Sequence, residues 1–209
     1  MPTTDPDPST VFVSGIVLAA GASTRMGRPK PLLPLGDRCL LRHVIDAAGA
    51  ARLDEVVVVL GAAADEIRSA LGADLDPRVR LVHCPDASEG QSASLRAGLA
   101  ALDPRADAAA VLLGDQPEIE SATIDAVLAA FLDSERPAAR PVYPDAADRP
   151  GHPVLLAREL FAEAMALHGD HGARTLFAAH PEWLLRVPLR GAPPTDVDTP
   201  ADLARLRAK

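Results

Sequence analysis

Cysteine, lysine and aromatic side chains are all scarce in this chain of 209 residues. The two cysteines, Cys39 and Cys84, allow at most one disulfide and lack metal-site spacing, so neither a disulfide framework nor a zinc knot organises the fold. Both read as reduced, partly buried thiols. Aromatics amount to 3%, which leaves no base-stacking platform for nucleic acid. A net charge of −8 argues against a broad surface for nucleic acid or anionic lipid. Apolar runs such as 56–64 fall short of the roughly 18–20 residues a membrane-crossing helix needs. The first ten residues, MPTTDPDPST, have neither the basic start nor the apolar core of a signal peptide. They read as a disordered lead-in, residues 11–209 as one domain, and the cytoplasm as the expected location.

With 48% apolar and 24% charged residues, the chain is expected to form a packed core, and its length suits one domain. Apolar runs alternate with helical patterns. Strands are expected at 11–20, 55–60, 79–83, 108–113 and 140–143, with helices at 40–51, 65–71, 92–102 and 123–132. This alternation predicts βαβ units and a mainly parallel sheet. Beyond Pro144 the pattern loosens, with short strands at 154–156 and 184–187 and helical segments at 159–167 and 174–179. Thr199-Pro200-Ala201-Asp202 has the form of a helix start, with Thr as N-cap and Asp three residues on.

In open parallel sheets, ligands bind at the carboxyl ends of the strands. The first strand runs into Gly21-Ala22-Ser23-Thr24-Arg25-Met26-Gly27-Arg28-Pro29-Lys30. Small residues there let backbone N–H groups close on an anion, and three cations stand within six residues of an otherwise acidic chain. The spacing is neither a P-loop nor a dinucleotide fingerprint. Of the 21 basic residues, only Lys30 and Lys209 are lysine. Lys30 therefore persists where the composition drifts to arginine, as suits a compact ammonium aimed at one oxygen. The other reading of the loop is a solvated surface turn. The fourth strand ends in Gly114-Asp115-Gln116-Pro117, and Asp196 and Asp198 stand near the C-terminus. Asp115 and Asp198 would suit magnesium, which takes one or two carboxylates plus phosphates and water. Equally, Asp115 suits a turn and Asp196 or Asp198 a helix cap.

The run LAAGASTRMGRPKPLLPLGDRCLL strongly resembles the signature loop of nucleotidyltransferases related to molybdenum cofactor cytidylyltransferase. The resemblance continues through EGQSASLRAGL, LLGDQP, RPGHPVLL, GDHGAR and DVDTPADL, across the whole chain after residue 10. It implies a single three-layer α/β domain with a mainly parallel, Rossmann-like sheet of the GT-A type. It implies Mg-dependent transfer of CMP from CTP to the phosphate of molybdopterin, with pyrophosphate leaving and a molybdenum hydroxylase as a possible recipient. Ala19, Ala20 and Gly21 would contact base or ribose, with the segment through Ala22, Ser23, Arg25 and Gly27 around the triphosphate. Arg25 and Lys30 would neutralise charge at the α-phosphorus and on the leaving group. Gly90 and Ser94 would line the base and ribose pocket, and Asp115 and Asp198 would hold Mg2+. LAAG at 18–21, and Pro29 before Lys30, depart from the guanylyltransferase pattern and favour cytidine.

Other residues stay open. His152 would contact the acceptor or metal region, or be a structural histidine in a turn. Asp170, His171 and Arg174 would grip the pterin or its phosphate, or else Asp170 caps a helix beside an exposed arginine. His43, His83, His168 and His180 read as structural or surface, and Trp183 as core. The rival functions are a guanylyl- or other nucleotidyltransferase with a different phosphorylated acceptor, and a non-catalytic carrier of the molybdenum cofactor.

Overall fold

The computed structural model describes residues 11–21, 29–146, 151–170 and 172–208. The lead-in at 1–10, the loop residues Ala22, Ser23, Arg25, Gly27 and Arg28, and His171 lie outside them. Strands β1 (Val13–Ala19), β4 (Glu55–Leu60) and β6 (Ala108–Leu113) are the Val-, Ala- and Leu-rich runs of the sequence. Each is buried on both faces along nearly its whole length, so it reads as a continuous apolar run rather than an alternation. β5 (Val79–His83) lies at the sheet edge and is only half covered.

A short hairpin of β2 (Pro34–Leu35) and β3 (Arg38–Cys39) turns at Gly36, whose φ of 63° suits glycine. It leads into α1 (Leu40–Ala50); α2 (Ala64–Leu71), α3 (Gln91–Ala100) and α4 (Ser121–Leu132) form the later crossovers. β7 (Ala138–Val142), β8 (Val154–Ala157) and β9 (Leu184–Pro188) complete a seven-stranded sheet of order β5-β4-β1-β6-β8-β7-β9. Only β8 runs against its neighbours, pairing antiparallel with β6 and β7. Helix α4 therefore crosses past one strand position, and the chain returns later to fill the gap. The expected single α/β domain with a mostly parallel sheet is what forms.

One face of the sheet packs on α1, α2 and α4 through a core that includes Leu41, Ile45, Leu60, Ile67 and Ile124. The other packs on α3, α5 (Phe161–Met165) and α6 (Arg174–Ala179), around Ile16, Leu95, Leu156 and Phe177. The segment expected as one helix at 159–167 is a 3-10 turn, Arg158–Leu160, running into α5. Trp183 is half-buried rather than core, stacked on His180 with ring centroids 3.9 Å apart. A third cluster joins Leu33 and Leu40 to Val197, Leu203 and Leu206, which seats the last helix, α7 (Pro200–Arg207), against the segment around the β2–β3 hairpin. The strand order reverses between β1 and β6, the position where open sheets bind ligands.

Candidate functional site

Lys30 and the two carboxylates expected beside the ligand meet at this point of the sheet. The Lys30 Nζ donates to Asp115 Oδ2 at 2.7 Å and to Asp198 Oδ1 at 2.9 Å. Lys30 opens a 3-10 turn, Lys30–Leu32, and Asp115 stands two residues past β6. Asp198 lies 168 positions from Lys30. The third apolar cluster brings its segment across, and the Val197 N–H donates to the Asp115 carbonyl at 3.0 Å. Burial opposes the Lys30 charge, but Asp115 and then Asp198 outweigh it and raise its pKa, so it stays an ammonium.

The expected cap of the last helix forms as a reciprocal box. The Asp202 N–H reaches Thr199 Oγ1 at 3.2 Å, and Asp202 Oδ2 accepts from the Thr199 N–H at 2.7 Å. Those bonds, with the Thr199 hydroxyl foremost, bring the Asp202 carboxyl down to about 2. The same oxygen takes the Asp198 N–H at 3.1 Å. Neither Asp196 nor Asp198 caps this helix with its side chain: Asp196 Oδ1 accepts from Gln116 Nε2 at 2.7 Å, and Asp198 faces Lys30.

Asp115 Oδ1 is buried and has no hydrogen-bond partner among the described residues. A carboxylate with one oxygen on an ammonium and the other buried and unused is short of a cation or donor. No group of three or more His, Cys, Asp or Glu side chains comes together among the described residues. Two protein carboxylates are a donor set that suits magnesium or manganese completed by phosphates and water; Asp115 and Asp198 fit that role.

Two cavities adjoin here. The first, of about 510 Å3, is lined by Ala19, Ala20, Gly21, Gly90, Ser94 and Asp115, all singled out in the sequence, together with Lys30, Asp170 and Asp198. The second, of about 580 Å3, is lined by His152, Asp170 and Arg174, and by Arg140 and Gln116. Leu18, Gln91, Leu113, Asp170 and Asp198 line both, so the carboxylate of Asp198 stands at their junction. Gly90 makes that junction possible. Its φ is 115°, and a Cβ there would lie 2.4 Å from the carbonyl carbon of Gly169. The loop at 169–170 thus crosses the start of α3, with the Ser92 N–H donating to the Gly169 carbonyl at 3.1 Å. Asp170 is carried between the cavities and caps nothing, since the N-cap of α6 is Ala173.

His152 Nδ1 is buried without a partner among the described residues, unlike a histidine whose hydrogen bonds serve the fold. Burial pushes its pKa down to about 4, with Asp115 opposing and Arg140 adding to the shift. The sign follows from linkage: the unfolded chain protonates near 6.5 while the folded imidazole resists to about 4. Stability from this group is whole above about pH 6.5 and falls as the pH drops toward 4. Urea unfolding across that window should show wild type losing up to about 3 kcal/mol more than His152→Gln. Parallel curves for the two proteins would remove His152 from the buried, neutral state.

Gln116 and Arg140 were not singled out from the sequence. The signal for Arg140 was legible, a guanidinium inside the strand Ala-Ala-Arg-Pro-Val, but nothing local tells which cavity it meets.

Three comparisons bear on this geometry. The MobA-like NTP transferase domain matches residues 15–183. A relative from Paenarthrobacter nicotinovorans, nicotine blue oxidoreductase, is 34% identical over 200 residues, which is 93% of this chain and 96% of the relative. The crystal structure of Rv0371c from Mycobacterium tuberculosis H37Rv superposes with a TM-score of 0.83 at 34% identity, covering 95% of this chain and 99% of that one. A complex of Rv0371c with manganese gives 0.79 at 33% identity, over 96% and 100%. No helix among the described residues is long and apolar enough to cross a membrane.

Proposed function

The chain belongs to the MobA-like NTP transferase family, and from that premise we propose that it transfers CMP from CTP to the phosphate of molybdopterin. A phosphate oxygen of the acceptor would bond to the α-phosphorus while the bond from that phosphorus to the β-phosphate bridging oxygen breaks, and pyrophosphate leaves. The observation that carries this reading is Lys30 in the first cavity, held between Asp115 and Asp198, with Asp198 at the junction with the second. One cavity suits a nucleotide and the other an acceptor, and charge develops between them.

Such a reaction needs positioning and electrostatic stabilisation more than a protein nucleophile. Lys30 would neutralise phosphate oxygens. The backbone at Ala19, Ala20 and Gly21, with Gly90 and Ser94, would hold base and ribose; Ala22, Ser23, Arg25 and Gly27 would surround the triphosphate. Asp115 and Asp198 would hold a divalent ion, Mg2+ in the first instance, which supplies Lewis-acid neutralisation of the phosphates. Manganese in the complex of a 33% identical protein supports a divalent site. His152, Asp170 and Arg174 would face the acceptor. Cytidine is favoured by LAAG at 18–21 and by Pro29 before Lys30.

A second reading is an oxidoreduction. It is favoured by the full-length likeness to an oxidoreductase, but gives no use for a lysine held by two carboxylates. The test supplies CTP, GTP, ATP or UTP with Mg2+ or Mn2+ and molybdopterin, and reads pyrophosphate. CTP alone is expected to react. Reaction with GTP would overturn the base assignment, and no pyrophosphate alongside consumption of NADH or NADPH would overturn the transferase.

A further inference from the structure

Four buried side-chain polar atoms lack a hydrogen-bond partner among the described residues: Asp115 Oδ1, Gln116 Oε1, Arg140 Nε and His152 Nδ1. All four belong to the paired cavities, and the last three line the second. Buried polar atoms are rarely left unpaired, so their convergence on one space marks groups that a ligand completes.

Arg140 is the most exacting of the three. It stands on β7 in register with Arg186 of β9. Burial lowers its pKa, and Arg186 and Arg174 lower it further. Among the described residues no carboxylate forms an ion pair with it, and three of the four acids that line the second cavity are engaged elsewhere. Asp196 accepts from Gln116, Asp198 from Lys30, and Asp202 from Thr199 and Arg205. Asp170 makes no ion pair with it. A half-buried guanidinium among like charges, without a counter-ion among the described residues, is costly unless an anion completes it. Its planar fork matches phosphate or carboxylate.

We propose that Arg140 is a specificity-determining residue that binds an anionic group of the second substrate, while Gln116 Oε1 accepts from an N–H or O–H of the same molecule. His152 lines the same cavity, and its buried Nδ1, without a partner among the described residues, supplies one further hydrogen bond. The second substrate is therefore an anion that also carries hydrogen-bond donors. This assignment rests on the second cavity being the acceptor's, and it identifies its anchor as Arg140 rather than the exposed Arg174.

Inorganic phosphate is the probe. Its binding is measured by calorimetry on the full chain, with the first cavity filled by CTP and Ca2+, for wild type, Arg140→Met and Arg140→Gln. Loss of a charge-assisted pair should weaken phosphate roughly 10- to 100-fold in both variants and leave CTP affinity unchanged. Removing a half-buried cation that has no counter-ion among the described residues should leave the melting temperature equal or higher, whereas loss of a structural arginine would lower it. Equal phosphate affinity in wild type and variants overturns the proposal, as does wild type that binds no phosphate. If CTP fails to bind while phosphate measured without it still separates the variants, the nucleotide reading falls and Arg140 stands.

Discussion

Lys30→Ala is expected to lower pyrophosphate release by roughly 10²- to 10³-fold, the scale for losing one donor aimed at transition-state charge. The reason lies in its partners: two carboxylates at 2.7 and 2.9 Å keep the ammonium charged and fix it in the first cavity. Lys30→Arg should recover only part of the rate, because a planar fork cannot take the place of a compact ammonium between those two oxygens. The same alanine variant leaves Asp115 and Asp198 without their cation. Its affinity for Mn2+ in the absence of nucleotide should therefore rise, which a binding titration reads without any turnover. Wild-type turnover in Lys30→Ala would remove the lysine from the chemistry, and unchanged Mn2+ affinity would separate the carboxylates from metal binding.

Asp115→Asn should raise the metal concentration needed for half-maximal rate by at least about 10- to 100-fold, since even outer-shell partners of a metal carry that much. The amide keeps the shape but removes the charge, and replaces one of the two carboxylate oxygens with a donor that faces the metal. The fold should survive, because the Asp115 carbonyl still receives the Val197 N–H. Circular dichroism and a metal titration of the rate test both halves. A wild-type titration curve would exclude Asp115 from the metal site.

Much of this arrangement is visible in one dimension. Val56, Val57, Val58 and Val59 form a run that only a strand buried on both faces accommodates, and β4, β5 and β6 begin and end at the expected residues. Thr199, Pro200 and Asp202 carry their cap in their own side chains. Gly21, Lys30 and Asp115 stand just past the ends of strands, so their place at the crevice follows once the strands are recognised. Where the pairing is not local, the sequence is silent. Val-Leu-Leu-Ala at 154–157 does not say that it enters the sheet antiparallel between β6 and β7. The hairpin at Gly36 is two residues a side, too short for a pattern. Trp183 reads as core because it is large and apolar, yet it packs half-exposed on His180.

The class of fold, the family resemblance and the residues able to carry charge at the site are all legible in one dimension. Those depend on side-chain periodicity and on chemistry that each residue brings with it. Only the folded chain shows that Asp198, and not Asp196, faces Lys30, that Asp170 stands between two cavities, and that Arg140 has no counter-ion among the described residues. The reason is distance along the chain. A contact between Lys30 and Asp198 exists only because Leu33 and Leu40 bury Val197, Leu203 and Leu206. That packing is a property of surfaces brought together by the whole sheet, and no local pattern records it.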